Sequence, residues 1–403
     1  MYFVGDNGHR NFEVEEGEST PPYIRGRLKK SAKFWSGFCS SVVLSWILFG
    51  VCLEWNGKGE PKAAQFKNQP SAVAEHKFVS EAISKLVKTG AAYKVSRKPH
   101  IVSPLGVAYR EIDPSKPLKK RLIFNGRYLN MHLVIPKFKY ESISMVRDLL
   151  TPNGVMWYFD LTSGYHHVEI NEAYHKYMGF EWEGEWYQYA VLPFGLAIAP
   201  YVFTILTREL AKKWRSKGAK LVMYIDDFIF FSAATLTGSL VHVIEERDQI
   251  LKDLEESGFV INLEKSVLEP VKQAVFLGVG IDSVKRVFTL PLEKVRIMKN
   301  LVQTELGKMK SSARKIARIA GKIISCGIAL GKVTRMFTRE MYFWIETATS
   351  WDSLSIISEE VRAELEFWQE IDVKDYFCPI WTVYTNVLNN AIFSDAGDTG
   401  WGG

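Results

Sequence analysis

The sequence predicts an α+β fold. Short apolar runs of β type alternate with helically spaced segments between Ile101 and Gly258, and beyond Leu292 most of the chain reads helical down to about Asp375. With 47% hydrophobic and 13% aromatic residues among 403, the chain is globular, not disordered. At roughly 100–200 residues per domain its length allows two to four domains.

Residues 1–33 read as a mobile tail, acidic first (Asp6, Glu13, Glu15, Glu16 and Glu18 against Arg10) and then basic (Arg25, Arg27, Lys29, Lys30, Lys33). Residues 34–98 read as a helical extension. Within it, Phe38 to Leu53 is an apolar stretch of 16 residues. It contains three serines and falls short of the ~18–20 needed to span a bilayer, so a buried helix is expected and no membrane partner. Asn56 to Gln69 reads as a linker, and Ser80 to Gly90 as a helix with a glycine cap. β-type runs follow at Ile101–Val102, Leu105 to Tyr109 and Leu122 to Phe124, then an irregular stretch and a helix over Ser142 to Leu150.

In the middle, Val155 to Asp160 is an apolar strand, and Met178 to Trp182 with Trp186 to Val191 form a hairpin around Gly184. Pro200 starts a helix closed by Gly218. Leu221 to Tyr224 and Phe228 to Phe231 are strands with two aspartates between them, and Leu240 to Ser257 is a helix capped by Gly258. A last β-type run, Ala391 to Ser394, stands near the end.

The net charge of +6 is uneven: Lys294 to Lys322 holds nine Lys or Arg against Glu305 alone. Such a block on helical spacing points to a polyanion partner or to a solvated helix face. Cys39, Cys52, Cys326 and Cys378 are too scattered for a disulfide framework or a zinc knuckle, and the histidines lack metal-ligand spacing. The N-terminus lacks the order of a signal peptide, so an intracellular location, cytoplasmic or nuclear, is expected.

Two acidic sites stand out. Tyr224-Ile225-Asp226-Asp227 lies between two apolar β runs, and Asp160 ends a third. Adjacent buried carboxylates repel each other and lose hydration unless a cation neutralises them. Meeting at one point, they would form an oxygen-rich site for hard divalent ions such as Mg²⁺. Alone, Tyr-x-Asp-Asp also fits an ordinary turn, in which Asp is common.

Order and context extend this reading. Phe159-Asp160-Leu161-Thr162-Ser163-Gly164-Tyr165-His166 resembles the first palm motif of retrotransposon reverse transcriptases. Leu192-Pro193-Phe194-Gly195-Leu196, with Ala199-Pro200 and Phe203, is similar to their second motif, and Tyr224 to Asp227 to their third. Gly258-Phe259-Val260-Ile261-Asn262 with Lys265 resembles the fourth, and Phe276-Leu277-Gly278 the primer grip. Arg121-Leu122-Ile123 and Arg127-Tyr128-Leu129-Asn130 match the fingers. Asn125 and Gly126 depart from the pattern, standing where many relatives carry Asp and an apolar residue. Within retroelements the likeness is greatest to tyrosine-recombinase (DIRS-like) elements, with gypsy-like elements next. It rests there on Val43-Leu44-Ser45-Trp46-Ile47, Gly321-Lys322-Ile323-Ile324-Ser325 and Ala329-Leu330-Gly331.

The resemblance implies a right-hand polymerase, with fingers and palm over 99–285, thumb and connection helices over 286–378, and the start of a ribonuclease H domain over 379–403. It implies RNA-directed and DNA-directed DNA synthesis on an RNA template and DNA primer or duplex, from dNTP. Two Mg²⁺ ions, or Mn²⁺, would be held by Asp160, Asp226 and Asp227, and the chain would form part of an element polyprotein. Lys265 matches a catalytic lysine near the triphosphate. Arg121, Leu161, Ser163, Gly164, Tyr165, Phe194, Gly195 and Ile225 match nucleotide-binding positions, with Tyr165 the ring that excludes a ribose 2′-hydroxyl. Phe276, Leu277, Gly278, Lys308, Lys310, Arg314, Lys315, Arg318 and Lys322 match template-primer positions, the basic ones on a helix pair. Asp395 would be the first ribonuclease H carboxylate; that site needs further acids downstream and the chain ends eight residues later, so no nuclease activity is expected.

Overall fold

The computed structural model describes residues 22–110, 118–233, 240–372, 378–380, 395–397 and 400–402. After one helical turn at Arg27–Lys30 come α1 (Ala32–Ser36) and α2 (Ser41–Phe49). Then follow β1 (Ala64–Gln65), α3 (His76–Lys88), β2 (Ala92–Val95), β3 (Ile101–Val102), β4 (Leu105–Arg110) and β5 (Lys119–Phe124). The middle contains β6 (Val155–Asp160), β7 (Gly179–Trp182), β8 (Glu185–Tyr189), α4 (Ala199–Ser216), β9 (Lys220–Tyr224), β10 (Asp227–Ser232) and α5 (Val241–Ser257). The last third holds β11 (Val267–Val271), β12 (Gln273–Phe276), β13 (Val279–Asp282), β14 (Val287–Thr289), α6 (Leu292–Leu306), β15 (Lys310–Ser312), α7 (Ala313–Ile324), β16 (Leu354–Ile356) and α8 (Glu359–Glu370).

A four-stranded antiparallel sheet, in the order β11-β6-β10-β9, is the centre of the molecule. Side chains alternate across a strand, so each strand feeds two cores. Trp157, Phe159, Phe228, Phe230, Leu221 and Met223 enter one core with Phe203, Leu206, Leu210 and Trp214 of α4. Met156, Val222, Ile229 and Phe231 enter another with Phe276, Ile281 and Phe288 of β12–β14. Both faces are covered, which is why these strands read as unbroken apolar runs. Trp157 stacks on its partner Phe230 with centroids 4.1 Å apart, and Phe159 on its partner Phe228 at 4.8 Å.

The second sheet runs β1-β3-β7-β8-β2. Its β7–β8 hairpin turns at Glu183 and Gly184, both with positive φ (53° and 78°), the conformation that suits a two-residue connection. A third core belongs to the C-terminal helices, where Met298 and Val302 of α6, Ile316 and Ile323 of α7, and Leu365 and Trp368 of α8 meet.

Several expectations are corrected. Residues 22–33 are not part of a tail: Ile24 and Leu28 are buried. Residues 34–98 are not an appended extension. Trp35, Val43, Val79 and Ala92 lie in the same core as Trp157, and β2 pairs with β8. The Asn56 to Gln69 stretch is not a free linker, since β1 within it pairs with β3 and Trp55 bridges Leu133. Helix α2 buries only Val43 and Ile47, with Val42 and Phe49 exposed. The helical reading beyond Leu292 is interrupted by a β15–β16 ribbon. The β12–β13–β14 strands that precede it were not anticipated. Ala391 to Ser394 lies outside the described residues, and Asp395 opens a two-stranded ribbon of which the backbone alone is described. Among the described residues no helix is long and apolar enough to cross a membrane.

The N-terminal helices lock onto the C-terminal end of α5. Trp35 Nε1 donates to Ser257 O at 2.9 Å and Arg27 Nε to Gly258 O at 3.0 Å. Gly258, with φ 89°, lets Arg27 approach: a Cβ there would lie 2.7 Å from Arg27 O. Trp35→Ala removes a fully buried ring and leaves a carbonyl unpaired, and is expected to cost about 3–5 kcal/mol. Urea unfolding of the full chain measures this; a loss below about 1 kcal/mol would mean the N-terminal helices are peripheral after all.

Candidate active site

Strands β6 and β10 pair with Asp160 opposite Asp227, and β9 and β10 pair with Tyr224 opposite Asp227, leaving Ile225 and Asp226 as a two-residue turn. Such a turn needs a left-handed first residue, usually glycine. Here it is β-branched Ile225 at φ 58°, a strained conformation that costs of order 1–3 kcal/mol and presents Asp226 at the tip. Asp160, Asp226 and Asp227 each bring a carboxylate oxygen within 4.8 Å of the others. The expected convergence is therefore present.

Asp160 is buried and held on every side. Its N–H donates to Ser266 Oγ at 3.1 Å, and its carbonyl accepts from Asn262 N at 2.8 Å. Its Oδ2 accepts from Lys265 Nζ at 3.0 Å and from Asn262 Nδ2 at 3.2 Å. Burial, and then the Asp160 charge, raises the Asp226 carboxyl above its ordinary range. Asp227 is pushed up to about 7 by burial, the charges of Asp226 and Asp160, and a hydrogen bond with Asp160. Half-buried oxygens that repel one another in this way suit a hard divalent cation, and these three residues fit Mg²⁺ or Mn²⁺.

The nucleotide-binding candidates gather beside this cluster. Tyr165 is buried and packs on Phe194 (5.0 Å) and Phe203 (5.4 Å), while the Arg121 guanidinium of β5 lies 5.2 Å over the Phe194 ring. Ser163 is left-handed at φ 52°. At Gly164 a Cβ would lie 2.8 Å from Phe203 Cζ and 3.2 Å from Asp226 Cβ, so only glycine lets this turn sit against the acidic tip. Leu161 is buried, with its N–H donating to Asp226 O at 3.1 Å. Gly195, at φ 115°, touches β5: a Cβ would fall 1.8 Å from Phe124 O. The same contact explains Gly126, whose Cβ would lie 2.9 Å from Gly195 O.

The template-primer candidates divide. Phe276 is 4% exposed and packs into the sheet core, so its ring supports the Leu277-Gly278 turn and is not displayed. Leu277 and Gly278 both have positive φ (50° and 71°), closing the β12–β13 hairpin. The basic residues are not all on a helix pair. Lys308 follows α6 and pairs with Glu305 at 2.6 Å, and Lys310 stands on β15. Arg314, Lys315, Arg318 and Lys322 share one face of α7, opposite its buried Ile316, Ile319 and Ile323, with Arg314 engaged by Asp352 through two bonds of 2.7 and 2.9 Å.

Some residues received no role from the sequence. Asn262 and Ser266 fix Asp160. Asn130 clamps the turn before α4, its Nδ2 donating to Gly195 O at 2.9 Å and its Oδ1 accepting from Ala197 N at 2.9 Å. Glu141 Oε2 accepts from Met223 N and from Arg215, holding β9. Asn262, Ser266 and Asn130 lie in or beside quoted motifs, the one signal available.

A pH dependence follows. The folded state holds a proton on Asp227 more tightly than the unfolded chain, so without divalent ions stability is lost as pH rises from about 4 through about 7. Thermal melts in chelator are expected to show a lower Tm at pH 8 than at pH 5.5. Asp227→Asn should flatten the difference, and Mg²⁺ should recover more of the wild-type loss at pH 8 than at pH 5.5. An equal slope in the variant would remove Asp227 as its source.

Residues 114–281 match the family described as reverse transcriptase (RNA-dependent DNA polymerase). The putative enzymatic polyprotein of Cassava vein mosaic virus is 25% identical over 236 residues, covering 56% of this chain and 34% of the relative. The retrovirus-related Pol polyprotein from transposon gypsy of Drosophila melanogaster is 26% identical over 218 residues, covering 50% and 21%. The chain thus spans about a third of one of these relatives and about a fifth of the other. A solved structure of foamy viral protease-reverse transcriptase in complex with RNA/DNA hybrid superposes with a TM-score of 0.61 at 17% identity, over 85% of this chain and 46% of that one. The fold is the expected right-hand polymerase, and residues 114–281 match the reverse transcriptase family and resemble the corresponding part of retrotransposon Pol polyproteins.

Proposed function

We propose that this chain is the RNA-directed and DNA-directed DNA polymerase of a retrotransposon, joining a primer 3′-hydroxyl to a deoxynucleoside triphosphate along an RNA or DNA template. The observation that carries this reading is the convergence of Asp160, Asp226 and Asp227 next to the Arg121–Phe194–Tyr165 stack. Two bound divalent ions would stabilise the attacking and leaving oxygens of the phosphoryl transfer. Asp160 and Asp226 hold them, with Asp227 supporting. Lys265, 56% exposed and reaching into the site, is the proposed proton donor to the departing pyrophosphate. Arg121 offers a planar, bidentate guanidinium to the triphosphate, and the backbone around Ser163 and Gly164 offers N–H groups to its oxygens.

In this reading residues 99–285 are fingers and palm, 286–378 are thumb and connection, and 379–403 begin a ribonuclease H domain at Asp395. The basic face of α7 grips duplex phosphates without reading sequence, and the Leu277-Gly278 turn steadies the primer end. The foamy viral relative was solved with RNA/DNA hybrid, which supports the same class of substrate for this chain.

Asp226→Asn keeps the shape of the tip and removes a charge that the ions need. Primer extension is expected to fall on the order of a thousandfold or more, while filter binding of template-primer stays near wild type and weakens with salt. Extension by the variant at close to the wild-type rate would sink the two-ion reading, and a wild type that binds without extending would sink the polymerase reading.

Tyr165→Ala opens the space beside Phe194. Ribonucleotides should enter, shifting the ratio of kcat/KM for deoxynucleotide over ribonucleotide by roughly 10–200-fold. An unchanged ratio removes the steric assignment, whatever the variant does to overall rate.

A further inference from the structure

The structure contains a second basic concavity, away from the acidic cluster and from α7. It is a groove of about 600 Å³ between the β2–β3 connection and β8, lined by Lys94, Arg97, Lys98, His100, Lys176 and Gln188. Its wall is preorganised. Pro99 is buried, and Gly179 of β7 lets it lie flat, since a Cβ there would fall 2.3 Å from Pro99 Cβ. His100 is tied by Nε2 to Pro61 O at 2.9 Å and packs edge-on against Tyr177. Lys94 is paired with Glu185 at 3.0 Å and Lys176 with Glu60 at 3.7 Å, whereas Arg97 and Lys98 are exposed and have no carboxylate partner among the described residues. No part of the fold requires their charge, so the rigid loop displays two unneutralised cations into a cleft that also offers the Gln188 amide.

We propose that this groove is a binding site for the phosphodiester backbone of single-stranded nucleic acid, separate from the duplex-binding face of α7. The proposal rests on the reading that this chain handles nucleic acid. The positive lining and neutral amide donor fit phosphate and sugar oxygens, and the lack of an exposed aromatic platform along the groove argues for backbone contact without base readout. A groove of about 600 Å³ holds a short strand segment.

The test is fluorescence anisotropy of the full chain with labelled single-stranded RNA, single-stranded DNA and a blunt duplex, comparing wild type with the double variant Arg97→Glu/Lys98→Glu. The expected result is at least tenfold weaker binding of both single strands in 0.1 M salt and little change for the duplex. The slope of log affinity against log salt should fall by roughly 1.4, two lost phosphate contacts at about 0.7 each. Inorganic phosphate at constant ionic strength separates the sources: no competition at millimolar phosphate supports the strand, whereas displacement would show a site for free phosphate and overturn the proposal. Unchanged single-strand affinity and slope would overturn it too, as would equal losses for strand and duplex. The polymerase reading is judged independently, because the Asp226→Asn variant should bind single strands as wild type does.

Discussion

The candidate site hangs on one strand register. Asp160 faces Asp227 because β6 and β10 are paired at that offset and no other, and the tip that carries Asp226 follows from it. A slip of one residue would turn every side chain to the opposite face and separate the carboxylates. Two aromatic pairs hold the register, Trp157 on Phe230 and Phe159 on Phe228, with the Trp214 ring set edge-on against Phe228 and Phe230. By alternation these rings lie on the face away from Asp160 and Asp227. The rings on one face of the sheet therefore position the carboxylates on the other without touching them.

Everything else at the site is attached to that sheet through backbone contacts and small residues. The Asn262–Ser266 segment wraps Asp160 through both its N–H and its carbonyl. Gly164 lets one turn press against the tip, and Gly195 lets β5 carry Arg121 across to Phe194. Strain at Ile225 and mutual repulsion among the acids are tolerated because the surrounding hydrogen bonds over-determine the geometry. A divalent cation would relieve the repulsion that folding concentrates there.

Much of this was legible in the sequence, for reasons that are physical. Strands buried on both faces read as apolar runs, so Val155 to Asp160 and the two runs flanking Asp226 and Asp227 were evident, and Gly218 and Gly258 marked helix ends by their left-handed backbones. The polar clamps were not legible. Asn130 and Glu141 act on backbone atoms far away in the chain and Asn262 on a carboxylate 102 residues before it, and no periodicity records that. Strands β12 to β14 are short, and Val275, an apolar residue facing solvent between buried Ala274 and Phe276, hides the in-out alternation. Phe276 was assigned to nucleic acid because likeness to a motif does not say which way a ring points. The tail reading failed over residues 22–33 because the basic run there masked Ile24 and Leu28, which are few but enclosed, and the linker reading failed because the short pairing of β1 with β3 leaves no apolar run.

The enclosure of Trp35 also bears on what counts as a unit of folding. Similarity to the family spans residues 114–281, yet one continuous core runs from Leu28 to Phe259 and draws on α1, α2, α3 and β2. Trimmed to the matched segment, the chain would lose the cover over Ser257 and Gly258 and the strand that pairs with β8, exposing a sheet edge and a large apolar face. The limits of recognisable ancestry and the limits of cooperative stability do not coincide in this protein. The described residues ahead of the matched segment, 22–110, supply buried side chains and a paired strand to the same core, so a cooperative unit of this protein includes them.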